Sequence, residues 1–302
     1  MDSRKAGIII VTAGILITLI AAVISTKNTN RVTAFTGSDR IALIHLSGTI
    51  GFSQDSSFLG SVTGTSSTMA DLEEAEKDSS LKAVVLRIDS PGGSAAASQE
   101  LYDQVLRLKE SGKIVVASFG DTAASGGYFV GAAADKIVAL PSTITGSIGV
   151  ISTVPNLEEL YKMIGYQERV FKSGPYKDML SSSRPLTAEE EKIMQEITTD
   201  IYDDFVDAVA NGRGLAEDQV RRLADGRIYT GSQAKENGLV DELGGKREAI
   251  QLAAELAGIK GEPQVVEYSQ GSGFFSFLRG VRLLLDRTDS LPLPSAYTTI
   301  KY

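Results

Sequence analysis

The stretch that decides the fold runs from residue 83 to residue 140 and reads AVVLRIDSPGGSAAASQELYDQVLRLKESGKIVVASFGDTAASGGYFVGAAADKIVAL. Apolar runs typical of buried strands lie at 83–88, 114–118 and 136–140. A helical pattern from about Ala95 to Lys109 separates the first two runs, and a short helix is predicted from Ser125. Because strands and helices alternate, the sequence predicts an α/β fold with parallel strands and crossover helices.

The same pattern extends in both directions from this stretch. The apolar run Ile41–Leu46 predicts a first strand, so the folded domain is expected to start near residue 40. A long helix is predicted from Thr187 to Ala210, with Thr187 as its N-cap and Glu190 three residues later. One stripe of this helix is predicted to be a packing face, formed by Ile193, Ile197, Ile201, Phe205 and Val209. No internal repeat is found within residues 40–265.

Composition excludes several classes of function. The 302-residue chain is 42% hydrophobic and 23% charged, as expected for a folded protein. A net charge of -8 offers no basic face to a polyanion, so nucleic-acid binding is not expected. With no cysteine there is no disulfide framework or thiolate metal site, and no metal-binding or nucleotide-binding motif occurs. We therefore expect no metal and no cofactor.

The N-terminus contains a candidate membrane span. Residues 6–24 carry no charge and, as a helix, would reach about 29 Å, close to the thickness of a bilayer core. A membrane anchor is favoured over a cleaved signal peptide because the run is long and no clear cleavage site follows it. Arg4 and Lys5 precede the span and favour a cytoplasmic N-terminus, with the rest of the chain outside the cytoplasm.

The chain is accordingly divided into four parts. These are a cytoplasmic stub with a transmembrane anchor, a polar tether, a folded domain and an apolar tail, at 1–25, 26–39, 40–265 and 266–302. The tail carries arginines within an apolar run, which leaves several roles open. It can dock on a neighbouring subunit, lie on the membrane surface, occupy a groove, or simply pack.

Ser125 and Lys177 are the candidate catalytic pair. Ser125 lies between an alanine and two glycines, and Lys177 lies in the run Ser-Gly-Pro-Tyr-Lys-Asp that ends at Asp178. A serine hydroxyl needs a base, and the only histidine, His45, is expected at an ordinary strand position. A lysine is therefore the expected base. Taken singly, Ser125 also fits a helix N-cap and Lys177 a solvated surface lysine.

A lysine acts as a base only when its amine is neutral. A free lysine has a pKa near 10.4, so the neutral form costs about 4.6 kcal/mol at pH 7. Burial in an apolar site removes most of this cost, so Lys177 is expected to be shielded. Asp178 would hold the proton on the amine if it paired with it, so we predict that Asp178 points away from Lys177. Ser147 is a candidate to orient the amine, although a serine in a turn more often satisfies backbone groups.

Three glycine-containing loops follow predicted strands and are expected to meet at one edge of the sheet. They occupy 89–94, 124–127 and 145–149. Glycines leave backbone N–H groups accessible, so the N–H groups near Gly93 and Gly126 form a candidate oxyanion hole. A Pro-Gly turn that only closes a strand is the structural alternative for the first loop.

Together these motifs resemble the signal peptide peptidase A family of bacterial membrane-anchored Ser/Lys proteases. The matching motifs cover about residues 40–265 in the order of the family and are RIDSPGGS (87–94), AASGGY (123–128), TGSIGV (145–150), SGPYKD (173–178), GRIYTG (226–231) and AKENGLVDELGG (234–245). The resemblance implies a fold similar to the ClpP/crotonase arrangement of stacked β/α units. It also implies Ser125 as nucleophile, Lys177 as general base, Ser147 as the orienting hydroxyl, and Gly93 and Gly126 as the oxyanion hole.

The resemblance further implies an assembly and a substrate. The single-repeat length is similar to the short form of the family, which forms a dome-shaped ring of eight with serine and lysine contributed by neighbouring subunits. The implied substrates are remnant signal peptides left in a bacterial cell membrane after export.

Three alternative functions remain. The first is a related Ser/Lys peptidase that acts on other membrane or envelope proteins. The second is a non-catalytic scaffold that binds apolar peptides, against which the presence of both Ser125 and Lys177 argues. The third is a crotonase-like acyl-CoA enzyme, which is disfavoured because no cationic cluster is evident for the CoA phosphates.

Overall fold

The computed structural model describes residues 39–52 and 65–268, and these contain eight strands and eight helices. The strands are β1 Arg40–Ser47, β2 Leu81–Ser90, β3 Ile114–Ala124, β4 Lys136–Ala139, β5 Ile144–Gly146, β6 Ile228–Thr230, β7 Glu242–Leu243 and β8 Gln264–Glu267. The helices are α1 Thr65–Lys77, α2 Ala95–Glu110, α3 Gly126–Ala132, α4 Glu158–Met163, α5 Ala188–Arg213, α6 Glu217–Leu223, α7 Gly231–Glu236 and α8 Lys246–Leu256. The predicted alternation of strand and helix between residues 41 and 140 is confirmed.

The strands form one mixed sheet. Its main path has the order β6-β5-β3-β2-β1-β8, while β4 pairs with β3 and β7 pairs with β4. Every strand pair is parallel except β5 with β6, which is antiparallel. Parallel neighbours need crossover connections, and α2 supplies the one between β2 and β3. The predicted α/β class is therefore confirmed, with one antiparallel pair added.

Successive side chains of the central strands point to opposite faces of the sheet, and both faces are covered. On one face Ile41, Leu43, Val85 and Val116 form a buried cluster with alanines of α8. Their sequence neighbours on the other face pack in a larger cluster that includes residues of α1, α2, α3 and α5. Because both faces of the sheet are shielded from solvent, the sequences of these strands are continuous apolar runs.

The carboxyl ends of β3 and β5 bring two of the glycine loops together. The last residues of β3 pair with β5, so that Ala124 lies opposite Gly146. The residues that follow these two are Ser125 and Ser147. The predicted convergence of loops at one edge of the sheet is therefore confirmed for this pair of serines.

Helix α5 begins as predicted, but its apolar stripe is only partly covered. Thr187 Oγ1 accepts a hydrogen bond from the Glu190 N–H, and the Glu190 carboxylate accepts one from the Thr187 N–H. Phe205 and Val209 are buried, whereas Ile197, nearer the start of the helix, is 45% exposed. The prediction of a packing face therefore holds for the C-terminal half of the stripe.

Three predictions fall on residues outside those described. They are the membrane span at 6–24, the tether up to residue 38, and the tail beyond Tyr268. The predicted start of the tail, residue 266, overlaps the end of β8. Among residues 39–52 and 65–268, no helix combines the length and the apolar character that a membrane crossing needs.

Candidate active site

Ser125 occupies the sharp junction between β3 and α3. Its backbone has φ 52° and ψ -125°, a conformation that residues other than glycine rarely adopt and that costs about 1–3 kcal/mol. Two hydrogen bonds fix it: the Ser125 N–H donates to Gly146 O at 2.9 Å, and the Phe129 N–H donates to Ser125 O at 2.9 Å. The hydroxyl makes no cap bond to α3. The capping alternative is therefore not observed, and the hydroxyl has no hydrogen-bond partner among the described residues.

The glycines around Ser125 allow two loops to touch. A β-carbon on Gly92 would lie 2.7 Å from the Gly126 nitrogen and 2.8 Å from the Ser125 β-carbon. A β-carbon on Gly126 would lie 2.3 Å from Ser98 Oγ. Any larger residue would push the loops apart. The glycine pairs in the sequence are thus explained by one contact, between the loop after β2 and the start of α3.

Gly93 and Gly126 belong to the two loops that touch at Ser125, and each has a backbone N–H group. A β-carbon on Gly126 would be 3.4 Å from the Gly93 nitrogen. Gly93 pairs with Ile50 in an isolated β-bridge, but the Gly93 N–H makes neither hydrogen bond of that bridge. The Ile50 N–H donates to Gly92 O, and the Ser94 N–H donates to Ile50 O. Gly126 is the first residue of α3, where an N–H has no acceptor within the helix. Both groups are therefore available to stabilise a negative oxygen.

Ser147 lies beside Ser125 in a second strained turn. Its φ is 49°, and its N–H donates to Arg227 O at 2.8 Å. Ser125 and Ser147 line one cavity of about 470 Å³. Within the described part of the chain the Ser147 hydroxyl has no hydrogen-bond partner. The backbone, and not the side chain, satisfies the turn, so the hydroxyl is available to a group that enters the cavity.

A larger cavity of about 530 Å³ opens on another side of Ser125. Its apolar lining includes Phe129, Val150, Ile201 and Phe205. Asp204 is the one charged residue among the described residues that line it. The sequence reasoning missed this cavity, although Ile201 and Phe205 belong to the stripe that it assigned to packing. The stripe both packs and forms the wall of a site.

Lys177 is not brought to Ser125 within the described chain. It is exposed, lies between α4 and α5, and lines neither cavity that contains Ser125. Among residues 39–52 and 65–268, the shielding expected of a lysine base is therefore not found. The fold supplies an open cavity beside Ser125 and, on a separate segment, an exposed lysine.

Asp178 points to other cations, as predicted. Its carboxylate accepts hydrogen bonds from Arg184 at 2.8 Å and from Lys172 at 2.7 Å. Arg184 first, and then Lys172, hold the pKa of Asp178 far below its usual range. Sequence reasoning identified neither cation, since nothing in their spacing distinguishes them from solvated surface residues.

His45 lies on β1, as predicted. Its Nε2 is 3.0 Å from Glu267 Oε1 on the neighbouring strand β8. It lines neither cavity that contains Ser125. The fold therefore does not bring the one histidine to the candidate nucleophile.

Residues 151–187, which carry Lys177, form a segment called here the arm. Its exposed apolar side chains include Ile151, Met163 and Phe171, which are 89%, 82% and 93% exposed. Helix α4, within the arm, has no buried residue. The arm therefore contributes little to the core of the described chain.

Two protein-family models and several curated proteins match this chain. The model of peptidase family S49 matches residues 107–260, and the Clp protease model matches residues 60–145. Slr0021 of Synechocystis sp., a candidate protease by its name, is 47% identical over 205 residues, which are 68% of this chain and 73% of that protein.

Two further relatives extend well beyond the matched region. SppA of Enterococcus faecium, a candidate signal peptide peptidase by its name, is 38% identical over 71% of this chain and 62% of its own length. Serine protease SPPA, chloroplastic, of Arabidopsis thaliana is 36% identical over 74% of this chain and 33% of its own length. The chain thus matches less than two thirds of each of these two relatives.

The two family models overlap over residues 107–145 and together cover residues 60–260. The Clp protease match runs from α1 to β4 and includes the Ser125 junction, so the predicted ClpP-like α/β arrangement is confirmed. The S49 match includes β3, both strained serines and the arm. The chain belongs to peptidase family S49, and its activity is that of a serine protease.

Proposed function

We propose that this chain is a membrane-anchored endopeptidase in which Ser125 is the nucleophile and Lys177 is the general base. The observation that carries the proposal is the strained Ser125 junction, where a hydroxyl without a cap bond lies beside two unused N–H groups. Backbone strain of this kind persists where the surroundings hold a residue in place for function. The arrangement suits acyl transfer, because the tetrahedral intermediate carries its negative oxygen next to the nucleophile.

The proposed reaction has two halves. Neutral Lys177 Nζ takes the Ser125 hydroxyl proton as Oγ attacks the peptide carbonyl, and the N–H groups of Gly93 and Gly126 bind the oxyanion. The ammonium then gives the proton to the leaving amine as the C–N bond breaks and the acyl-enzyme forms. In the second half Lys177 takes a proton from water as the water oxygen attacks the ester carbonyl. The ester C–O bond then breaks, and the lysine ammonium returns the proton to Ser125 Oγ. Ser147 holds the lysine amine by a hydrogen bond in both halves.

The proposed active unit is an octameric ring in which Lys177 of one subunit reaches Ser125 of the next. Two observations support it: Lys177 is exposed in the single chain, and the arm exposes large apolar side chains. A second copy that covered the arm would bury this apolar surface. It would also give Lys177 the apolar surroundings that a neutral amine requires.

The proposed location is a bacterial cell membrane, with residues 6–24 as a single span and the catalytic domain outside the cytoplasm. The proposed substrates are remnant signal peptides left in the membrane after export. The apolar cavity beside Ser125 supports this choice, because it suits the apolar core of such peptides. The name of the Enterococcus faecium relative points in the same direction.

The test uses the full-length chain in detergent with a fluorogenic apolar peptide. Ser125→Ala and Lys177→Ala should each reduce kcat at least about a thousandfold, while light scattering reports an unchanged assembly. Lys192→Ala is the matched control, because Lys192 is exposed on α5 and pairs only with Glu196 at 3.8 Å. Normal turnover by either active-site variant would refute the Ser/Lys assignment.

The substrate is tested separately with two peptides. One is a synthetic signal peptide in detergent, and the other has the same length with its apolar core replaced by polar residues. The proposal expects cleavage within the apolar core of the first and little cleavage of the second. Equal cleavage of both would leave the protease intact and reject the signal-peptide role.

A further inference from the structure

The ion pairs next to Lys177 form one connected network. Arg184 donates hydrogen bonds to Asp178 at 2.8 Å and to Glu190 at 2.6 Å, and Lys172 donates to Asp178 at 2.7 Å. The Glu190 side chain is only 3% exposed and also accepts the N–H of Thr187. The part of the arm that carries Lys177 is thus fastened to the first turn of α5.

We infer that Arg184, assisted by Lys172, is a positioning residue for the Lys177 base, because it binds the Asp178 carboxylate and keeps it away from the adjacent amine. The inference rests on the proposed function, since it explains how the surroundings of that base are arranged. Arg184 itself touches neither Ser125 nor the cavities beside it.

The need for such a residue follows from the sequence. Asp178 directly follows Lys177, and a carboxylate within about 4–6 Å of an amine favours its protonated form. The protonated form cannot accept the serine proton. The charged groups that face Asp178 are Lys172 and Arg184 from the arm, with Glu190 behind Arg184 on α5. Both cations are engaged by Asp178, so the carboxylate is already paired without Lys177.

The geometry also explains why the bridging residue is an arginine. Its Nη2 donates to both Asp178 Oδ1 and Glu190 Oε1, and its Nη1 donates to Glu190 Oε2 at 2.8 Å. A planar guanidinium offers five donors in a fixed arrangement, which suits two carboxylates at once. A lysine at this position would keep the charge but would not hold both carboxylates in the same way.

The experiment measures kcat/KM against pH for the full-length chain and the variants Arg184→Gln, Asp178→Asn and their combination. We expect kcat/KM of the parent to rise with pH, because only a neutral base can accept the serine proton. Removing Arg184 frees Asp178 to pair with Lys177, which should move this rise to higher pH by about one unit. At a fixed pH within the range where kcat/KM rises, Arg184→Gln should have a kcat/KM about tenfold lower than that of the parent.

The double variant decides between positioning and simple structural support. Asp178→Asn leaves no carboxylate to pair with Lys177. In the double variant of Arg184→Gln and Asp178→Asn, kcat/KM should therefore rise at the same pH as in the parent. Asp178→Asn alone should also leave unchanged the pH at which kcat/KM rises. A fall in kcat/KM that is uniform across pH, and that persists in the double variant, would overturn the inference.

Two further variants keep the test decisive. Lys172→Gln removes the more exposed cation and should move the rise of kcat/KM to higher pH by a smaller amount. Adding Asp178→Asn should abolish this displacement too. The Lys172 variants therefore test the inference even if Arg184→Gln does not fold. Arg221→Gln is the matched control, since Arg221 also bridges two carboxylates, Asp203 and Glu217. A displacement of similar size in the control would overturn the inference.

Failure of the inference and failure of the proposed function give different results. If Lys177→Ala retains turnover, the base is misassigned and the proposed function fails. If Lys177→Ala is inactive but Arg184→Gln leaves the pH profile in place, only the positioning role of Arg184 fails.

Discussion

The region around Ser125 and the arm that carries Lys177 differ in how much of their surroundings one chain supplies. Ser125 is held by backbone hydrogen bonds on both sides, between a buried strand and a buried helix. The arm has exposed apolar side chains and a helix without buried residues, and an ion pair between Arg184 and Glu190 joins it to α5. The described residues of one chain therefore supply the surroundings of Ser125 but leave the arm largely uncovered.

Outside the proposed catalytic pair, the largest effect should come from a glycine on the Ser125 side. At Gly92 the φ is 100° and a β-carbon would meet backbone at 2.7 Å, so Gly92→Ala should displace Gly126. We expect a loss of kcat of at least about a hundredfold, as when an oxyanion donor is removed. Overpacking should also lower the free energy of unfolding by about 1–3 kcal/mol. Peptidase assays and urea titration measure the two effects.

Gly174→Ala in the arm is the matched control for this substitution. A β-carbon on Gly174 would have no neighbour within 4 Å in the single chain. We expect little change in the free energy of unfolding. If both alanine variants lost stability equally, the contrast between the two regions would not hold.

The second prediction concerns the covering of the arm. Phe171 is 93% exposed, and burying such a side chain contributes about 1.5–3 kcal/mol. Phe171→Ser should therefore shift the assembly toward smaller species by light scattering and lower kcat/KM by about tenfold or more at low protein concentration. Leu256→Ser, on α8 and 42% exposed, is the control and should leave the assembly unchanged. An undiminished assembly in Phe171→Ser would indicate that the arm is not an interface.

The third prediction concerns the apolar cavity on the Ser125 side. Asp204 is the one charged residue among its described lining residues, and it is exposed to solvent. Peptides with a lysine at the position that enters the cavity should be preferred over those with a glutamate. Asp204→Asn should reduce this preference by about two- to fivefold, the value of a partly exposed ion pair. A set of peptides that differ at one position measures the ratio of kcat/KM values.

The smallest effect concerns stability at acid pH. Arg184 lowers the pKa of Glu190 from its ordinary value of 4.5 to about 2. The ionised form is thus favoured by folding, so its contribution is present above about pH 4.5 and is lost as the pH falls through about 2. Glu190→Gln should therefore lose less stability between pH 6 and pH 2 than the parent does. Glu191→Gln, in the same turn but exposed, should behave like the parent.

The same contrast explains what the sequence could predict. The strands from Ile41 to Leu140 and the Ser125 junction were predictable because their residues are fixed by burial and by backbone geometry, both of which leave local patterns. The capping box of Thr187 and Glu190 was predictable for the same reason. Each of these features depends on neighbours that lie close in the chain or on a strand with a regular period.

The rest of the site depends on contacts without a local pattern. Arg184 acquires its role by meeting Asp178 and Glu190 at once, and charged residues six positions apart are common on any surface. The exposure of Lys177 was not predicted either. A neutral amine requires apolar surroundings, but the sequence does not show whether the same chain or another copy supplies them. The cavity wall on α5 was hidden because a packing stripe and a cavity lining have the same composition.

The pairing of β8 with β1 has a consequence for the synthesis of the chain. β1 begins at Arg40, and the strand that covers its outer edge, Gln264–Glu267, is made more than two hundred residues later. Until that strand leaves the ribosome, the buried apolar strand β1 presents unpaired backbone groups on one side, which is a site for wrong pairing. The described sheet therefore stays incomplete until residues 264–267 have been made, and β1 keeps one unpaired edge until then.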